Sequence, residues 1–232
     1  MKIALLGYGR MGQTIEKIAI DRGHTIVAKI DKDNHDEPYE ADVAINFSVP
    51  SAAYENITSA IHKKIPVVCG TTGWLNRLVE VEIQCQQNEG AFLYASNFSL
   101  GVNLFFELNA KLAEMMQKHP LYTASIEEIH HMKKLDKPSG TAITLAEGIP
   151  SKAKAWHLVE DNGEGVPITS IRKDEVPGTH TVTHRSDIDE ISITHTAHNR
   201  TGFALGAVLA AEWIQDKKGI FSMRVFYSSK YP

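Results

Sequence analysis

Two adjacent histidines, followed closely by lysines and then by Pro-Ser-Gly-Thr, form the stretch of this sequence richest in reactive groups. The run is Glu127-Glu128-Ile129-His130-His131-Met132-Lys133-Lys134-Leu135-Asp136-Lys137-Pro138-Ser139-Gly140-Thr141. Imidazoles titrate nearest to neutrality, and the lysines bring positive charge that Asp136 and the two glutamates only partly offset. Pro138-Ser139-Gly140-Thr141 leads into a helical pattern, and a helix start offers backbone N–H groups and a favourable dipole to an anion. The combination suits binding and protonation of a small carboxylate or phosphate.

The elements that must position such a site begin at the N-terminus. Lys2-Ile3-Ala4-Leu5-Leu6 is an apolar run fit for a buried parallel strand, and Gly7-Tyr8-Gly9-Arg10-Met11-Gly12 follows directly. The spacing predicts a helix over 13–22, with Ile15, Ile18, Ala19 and Ile20 as its apolar residues and Gly23 as its stop. A second strand over 24–30 ends at Asp31, about 20 residues beyond the last glycines, where a carboxylate bonds the ribose hydroxyls of a dinucleotide. Gly7 permits the tight turn, Gly9 lets backbone approach a pyrophosphate, and Gly12 lets the helix sit close to the strand. Asp31 repels a ribose 2′-phosphate while Arg10 and Lys32 attract one, so both NADH and NADPH stay open.

Strands over 41–48, 66–69 and 91–95 alternate with helices over 50–63 and 76–87, the pattern of a doubly wound sheet. Gly70-Thr71-Thr72-Gly73 and Ser96-Asn97-Phe98-Ser99 fall at strand carboxyl ends, where a dinucleotide lies in such folds. A helix over 101–118 carries Val102, Leu104, Phe105, Leu108, Leu112 and Met115 at helical spacing, with the Met115-Met116 pair on its apolar face. Strands over 122–131, 169–172, 178–184 and 190–197 then make a mixed or antiparallel sheet. A helix over 203–216, rich in small residues at Gly206, Ala207, Ala210 and Ala211, precedes a last strand over 220–227. The expected fold class is α/β, an N-terminal Rossmann-type doubly wound parallel sheet plus a smaller α+β domain with a mixed sheet.

With 232 residues and 43% hydrophobic content, the chain has material for a sizeable core. Its net charge of -4 gives no general attraction to nucleic acid or to an anionic membrane, so neither is an expected partner and any anion site is local. Cys69 and Cys85 lack the spacing of zinc ligands and fit a reducing compartment. With no leader-like segment and no apolar stretch of about 20 residues, the expected location is the cytoplasm. His157, His180, His184, His195 and His198 repeat no metal-ligand spacing alongside His130 and His131, so they read as surface or core residues and no metal is expected. Lys133 and Lys137 read as solvated loop charges, and Trp156 and Trp213 as packing residues.

These residues resemble a known family, the 4-hydroxy-tetrahydrodipicolinate reductases, also called dihydrodipicolinate reductases, of the diaminopimelate route to lysine. The hallmark Glu-x-His-His-x-x-Lys-x-Asp-x-Pro-Ser-Gly-Thr stands here as Glu128, His130, His131, Lys134, Asp136, Pro138, Ser139, Gly140 and Thr141. Further matches are the first glycine loop, Gly70-Thr71-Thr72-Gly73, Ala95-Ser96-Asn97-Phe98-Ser99-Leu100-Gly101-Val102-Asn103, and Ile193-Thr194-His195 leading to Arg200 and Phe203. The resemblance implies reduction of a cyclic dicarboxylate, derived from aspartate semialdehyde and pyruvate, to tetrahydrodipicolinate with NADH or NADPH. It implies His130 and Lys134 as the acid/base pair, His131 as a substrate contact, and Ser139, Gly140 and Thr141 as the cradle for a substrate carboxylate. Hydride addition to a conjugated imine leaves an enamine-like carbanion that needs a proton, which Lys or His supplies. Gly7, Tyr8, Gly9, Arg10, Met11, Gly12, Asp31, Gly70, Thr71, Thr72, Ala95, Ser96, Asn97 and Phe98 are by the same resemblance the holders of the dinucleotide. Residues 1–100 with 203–232 become a discontinuous dinucleotide-binding domain and 101–202 a substrate-binding and oligomerisation domain, hinged at two crossings. Family members are typically homotetramers assembled through the second sheet.

The chain departs from many relatives in being shorter between Asp31 and Asp42 and around 149–157, and in having one residue fewer in the first glycine loop. Two other functions use the same nucleotide fold: a non-catalytic sensor of the NADH to NAD balance, and a reductase of another small carboxylate. A sensor has no need of His130, Lys134 and Thr141 beside an anion-binding helix start, and a different dehydrogenase would lack Pro-Ser-Gly-Thr in this setting.

Overall fold

Ile3, Ala4, Leu5 and Leu6 have at most 1% exposure in the computed structural model, as a strand flanked on both sides in a parallel sheet requires. The structure describes residues 1–31, 33–34, 39–150, 156–199 and 201–230. Lys32 and Arg200, both singled out above, lie outside the described residues.

In chain order the strands are β1 (Lys2–Leu6), β2 (Thr25–Ile30), β3 (Val43–Asn46), β4 (Val67–Cys69), β5 (Ala91–Tyr94), β6 (Thr123–His130), β7 (Trp156–Leu158), β8 (Val166–Arg172), β9 (Gly178–Arg185), β10 (Glu190–Ala197) and β11 (Gly219–Ser222). The helices are α1 (Arg10–Asp21), α2 (Pro50–His62), α3 (Leu78–Gln87), α4 (Leu100–Met116), α5 (Gly140–Glu147), α6 (Thr201–Ile214) and α7 (Met223–Lys230). The chain divides into two compact units, Met1–Ser99 with Thr201–Pro232, and Leu100–Arg200. No helix among the described residues is long and apolar enough to cross a membrane.

The first unit is a six-stranded sheet in the order β11-β5-β4-β3-β1-β2, with every neighbouring pair parallel. Strand alternation splits its core into two layers. Ile3, Leu5, Ile45, Val68 and Leu93 pack with Ile15 and Ala19 of α1 and with Ala204, Ala207, Val208 and Ala211 of α6. Ala4, Leu6, Ala44, Val67 and Phe92 face the other way, toward Ala53, Ile57 and Ile61 of α2 and Val81 of α3. The small residues of α6 do what their size predicts: a Cβ on Gly206 would stand 1.9 Å from the Phe98 carbonyl oxygen.

Two sequence expectations fail here for identifiable reasons. The expected strand over 220–227 is β11 followed by α7. Its partner β5 offers only four residues, from Ala91 paired with Gly219 to Tyr94 paired with Ser222, so no ladder remains for the rest. Met223, Phe226 and Tyr227 are then buried at helical spacing, which a strand could not do. In α4 the buried residues are Val102, Phe105, Asn109 and Ala113, whereas Leu104, Leu108 and Met115 are exposed. Asn109 takes a core position because its Nδ2 donates to the Leu145 carbonyl at 2.9 Å, a bond that hydropathy alone does not reveal.

The second unit is a mixed sheet in the order β10-β9-β6-β8-β7: β6 runs antiparallel to β9 and parallel to β8, and β10 is antiparallel to β9. β7, where the sequence pattern predicts no strand, runs parallel to β8, and Trp156 packs from it against the core. That core joins Phe105 and Ala113 of α4, Ala142, Leu145 and Ala146 of α5, and Ile126, Ile168 and Val182 of the sheet.

Gly206→Ala is expected to lower the unfolding free energy by about 1–3 kcal/mol, the range for overpacking, measured by urea denaturation. Gly202→Ala in the same helix is the comparison: the nearest atom to its Cβ would be Ser99 Oγ at 3.5 Å, an ordinary contact, so it should cost little or nothing.

Candidate active site

Alternation along β6 sends Ile126, Glu128 and His130 to one face of the sheet, and all three are buried. Register then builds two rows across that face. Ile126 sits between Ile168 and Val182, an apolar row of the core, and Glu128 sits between Ser170 and His180. The second row is polar and buried, and it organises the site.

Glu128 has no exposure, and its charge is met from several directions. The Ser139 amide donates to both carboxylate oxygens at 3.1 Å, and Ser170 Oγ donates to Oε1 at 2.5 Å. Arg172 Nη1 lies 3.5 Å from Oε1, while His130 Nδ1 and His180 Nε2 lie 3.4 and 3.6 Å from Oε2. Burial alone would raise the pKa of this carboxyl, but the polar contacts of His180, Ser139 and Ser170 and the nearby His130 outweigh it and hold the group well below the usual carboxylate range. At 3.6 Å, the His180–Glu128 contact is electrostatic and too long for a hydrogen bond.

His130 responds in the opposite sense. Burial, His180, Lys134 and Arg172 push its imidazole down to about 4 against the pull of Glu128, so it is neutral at neutral pH. Nδ1 faces the carboxylate without hydrogen-bond alignment, and the Nε2 edge borders Gly178, where a Cβ would come within 3.1 Å.

Arg172 also fixes the loop after β6. Its Nη2 donates to the Asp136 carbonyl at 2.6 Å and its Nε to the Lys134 carbonyl at 3.3 Å. Lys134, half-buried, holds both Asp136 carboxylate oxygens at 2.8 Å. The loop ends at Ser139, the N-cap of α5, whose Oγ accepts from the Ala142 amide at 3.2 Å and contacts His180 Nε2 at 3.1 Å. Ser139 is therefore buried beneath the cradle as its cap. Gly140 is exposed, with no atom within 4 Å of where a Cβ would stand, so an anion has room to approach the helix start. Thr141 and His131 are half-buried, while Lys133 is exposed and Lys137 pairs with Glu160 at 2.6 Å.

Three contributors escaped sequence reading: Ser170, Arg172 and His180. For His180 a signal existed, because strand alternation in Gly178-Thr179-His180-Thr181-Val182 puts it on the same face as Val182. Ser170 and Arg172 had none, since only the β6–β8 register brings them to Glu128 and His130. Glu128, His130 and His180 also place three possible metal-ligand atoms within 4.8 Å of one another. The carboxylate is already engaged by the Ser139 amide and Ser170 hydroxyl, with Arg172 supplying positive charge, so this donor set reads as a charge-compensated polar cluster.

In the first unit, the residues expected to hold a dinucleotide gather at the carboxyl edge of the parallel sheet. Gly7, Tyr8, Gly9, Arg10, Met11 and Gly12 follow β1, Asp31 follows β2, Gly70, Thr71 and Thr72 follow β4, and Ala95, Ser96, Asn97 and Phe98 follow β5. A Cβ on Gly7 would meet the Phe47 carbonyl oxygen at 2.5 Å, and one on Gly12 would meet the Gly7 carbonyl oxygen at 2.5 Å, so the loop tolerates only glycine there. Gly9 faces open space and caps α1 without a side-chain bond, which presents the first-turn amides to a pyrophosphate. These contacts fit a dinucleotide.

Some side chains within that set brace the edge instead of facing outward. Thr71 Oγ1 accepts from the Ser48 amide at 2.9 Å and from Asn46 Nδ2 at 3.1 Å, tying the turn after β3 to the turn after β4. Tyr8 donates to Glu16 and accepts from Lys29 at 3.2 Å, which turns its ring toward α1 and β2. Phe47, not singled out from sequence, limits three turns at once: its carbonyl meets Gly7, its ring would lie 2.2 Å from a Cβ on Gly70, and it packs on Phe98 at 5.7 Å between centroids.

The family models described as dihydrodipicolinate reductase, N-terminus, and dihydrodipicolinate reductase, C-terminus, match residues 1–98 and 101–226. The chain belongs to the dihydrodipicolinate reductase family. The 4-hydroxy-tetrahydrodipicolinate reductase of Christiangramia forsetii is 60% identical over 97% of this chain and 96% of its own length. That of Buchnera aphidicola subsp. Schizaphis graminum is 35% identical over 95% of this chain and 84% of its own. The dipicolinate-bound dihydrodipicolinate reductase from Paenisporosarcina sp. TG-14 has a TM-score of 0.72 at 21% identity, covering 96% of this chain and 97% of that one, a likeness of fold. Family membership makes the chain an NADH- or NADPH-dependent oxidoreductase of lysine and diaminopimelate biosynthesis.

The His130 imidazole should titrate near pH 4 when followed by NMR. In the unfolded chain a histidine takes its proton near pH 6.5, so between these values the unfolded state binds more protons and stability falls as pH drops. His130→Gln should flatten that part of the stability curve, measured by urea unfolding at steps through the same window.

Proposed function

We propose that the chain reduces 4-hydroxy-tetrahydrodipicolinate to tetrahydrodipicolinate with NADH or NADPH, and that Lys134 and His130 carry the proton traffic. The reading rests on the arrangement of His130, Lys134 and the start of α5 around Glu128, in a chain 60% identical over 97% of its length to a relative of that name.

The overall balance is one hydride and one proton into the substrate and one water out. When bound, the nicotinamide supplies the hydride. Gly9 and the first-turn amides of α1, Asp31, and the turns after β4 and β5 hold the dinucleotide. Gly140 and Thr141 receive a substrate carboxylate at the α5 start, and Lys134 exchanges Asp136 for the anionic substrate. The enamine left by hydride addition takes its proton from the Lys134 ammonium, with neutral His130 relaying a proton through Nε2 and His131 contacting the substrate.

Residues 1–100 with 203–232 serve the dinucleotide, and 101–202 serve the substrate and assembly. Cytoplasmic location is supported by the buried free thiols of Cys69 and Cys85. A homotetramer through the second sheet is supported by its outer face, where exposed Thr123, Ser125 and Glu127 adjoin hydroxyl pairs Thr181–Thr194 at 3.0 Å and Thr183–Ser192 at 2.9 Å.

Freshly prepared substrate should cause loss of reduced-cofactor absorbance, and no turnover with either NADH or NADPH would overturn the reading. His130→Gln and Lys134→Met should each lower kcat by about a hundredfold or more with cofactor affinity little changed. A matching loss of cofactor affinity would remove both residues from the proton path.

A further inference from the structure

Glu128 is sealed from solvent, yet its carboxylate reaches the strand, the loop and the helix that carry the groups assigned to protons and to grip. It holds α5 through the Ser139 amide, and through Arg172 it holds the Lys134 and Asp136 carbonyls. On its other side the His130 and His180 rings meet edge to face, 4.9 Å between centroids and 72° between planes, with one nitrogen of each within 3.6 Å of Oε2.

The charged and titratable groups facing His130 are Glu128 on its own strand, Arg172 on β8, His180 on β9 and Lys134 on the loop. Of these only Glu128 is negative. An anion beside Nδ1 draws the ring proton to that nitrogen, as hydrogen bonding at one imidazole nitrogen sets the role of the other. Nε2, on the edge bordered by Gly178, is then left to exchange a proton with substrate.

We propose that Glu128 is a positioning residue which keeps the His130 proton on Nδ1 and ties that ring to the carboxylate cradle at α5. The proposal rests on His130 as a proton-handling group. In the working cycle the substrate and Nε2 exchange the proton, Glu128 stays ionised throughout, and its contact with Nδ1 tightens into a charged hydrogen bond while the imidazole is protonated. Ser170 and His180 keep the carboxylate aimed, and Arg172 balances its charge when His130 is neutral.

Glu128→Gln keeps the shape and an acceptor for the Ser139 amide but removes the charge. In ¹⁵N NMR of the full chain near neutral pH, His130 should show the Nδ1–H tautomer in the unaltered protein and an Nε2–H or mixed population in Glu128→Gln. Turnover should fall about tenfold or more with KM for NADH unchanged. Glu128→Asp, which restores the charge, should recover the Nδ1–H signature at least in part. The same tautomer in the unaltered and Gln proteins would overturn the proposal whatever happens to activity, because a purely structural role changes stability without moving the ring proton. If Glu128→Gln does not fold, Arg172→Gln gives the second reading: with that cation gone the Glu128 charge acts on Nδ1 unopposed, so His130 should keep the Nδ1–H tautomer and its titration midpoint should rise. An Nε2–H tautomer there also overturns the proposal. Full turnover in His130→Gln would instead remove the acid/base role of His130, and the tautomer measurement stands apart from that result.

Discussion

A carboxylate removed from water has to recover inside the protein what its hydration shell supplied. Glu128 recovers it from a backbone amide of the α5 cap, a hydroxyl and a guanidinium on β8, and imidazoles on β6 and β9. Those partners are far apart in sequence, and each belongs to a segment with a task in the site. One buried charge thus obliges a loop, a helix start and two strands to converge on β6. Leaving any partner out would strand an uncompensated charge, so the loop geometry is held more tightly than its exposed position alone would allow.

The register of the second sheet carries this constraint. Because side chains alternate, a slip of one residue would send Glu128 and His130 to the outer face and Glu127 and Ile129 inward. The apolar row of Ile168, Ile126 and Val182 opposes such a slip, and the neighbouring row of Ser170, Glu128 and His180 opposes it independently, through the Ser170–Glu128 hydrogen bond and the charge of the carboxylate beside His180. Packing and polarity agree on one alignment. The first unit reaches similar definition by exclusion. At Gly7, Gly12 and Gly70 there is no space for even one carbon, since carbonyl oxygens and the Phe47 ring occupy it. Gly7 and Gly70 are therefore fixed by Phe47 from outside their turns, while Gly12 is fixed by the Gly7 carbonyl within the loop.

This division explains what could be read in advance. The centre of the parallel sheet was legible because β1, β3, β4 and β5 are near-continuous apolar runs between glycines or polar turns, and local pattern and burial coincide. His130, Lys134 and the α5 start were legible because they are neighbours in sequence. Ser170 and Arg172 were not, since only the alignment of β8 on β6 brings them to the site, whereas alternation along β9 already sets His180 on the inward face. The resemblance implies Ser139 as part of the substrate cradle, and its hydroxyl caps α5 and touches His180; the Pro-Ser-Gly-Thr string does not reveal which way a serine turns. The segment 220–227 misled for a related reason. Its apolar and aromatic content suits a strand, but strand length is set by the partner, and β5 ends at Tyr94.

Burial also separates the two ion pairs of the site by what each can do. Asp136 holds Lys134 at 2.8 Å with its own side chain 58% exposed, so water and salt weaken the pair and an incoming carboxylate can take its place at small cost. Arg172 and Glu128 lie 3.5 Å apart with the carboxylate fully buried, and there the desolvation cost of parting opposes exchange. Were Glu128 absent, Arg172 would carry a charge with no buried counter-ion close to the proposed substrate cradle. With Glu128 present, the guanidinium keeps its place on the loop carbonyls, and in the proposed site the positive charge left to meet a dicarboxylate is that of Lys134 and the helix start. The same acid therefore supplies the permanent half of the electrostatics and leaves the exchangeable half to the surface.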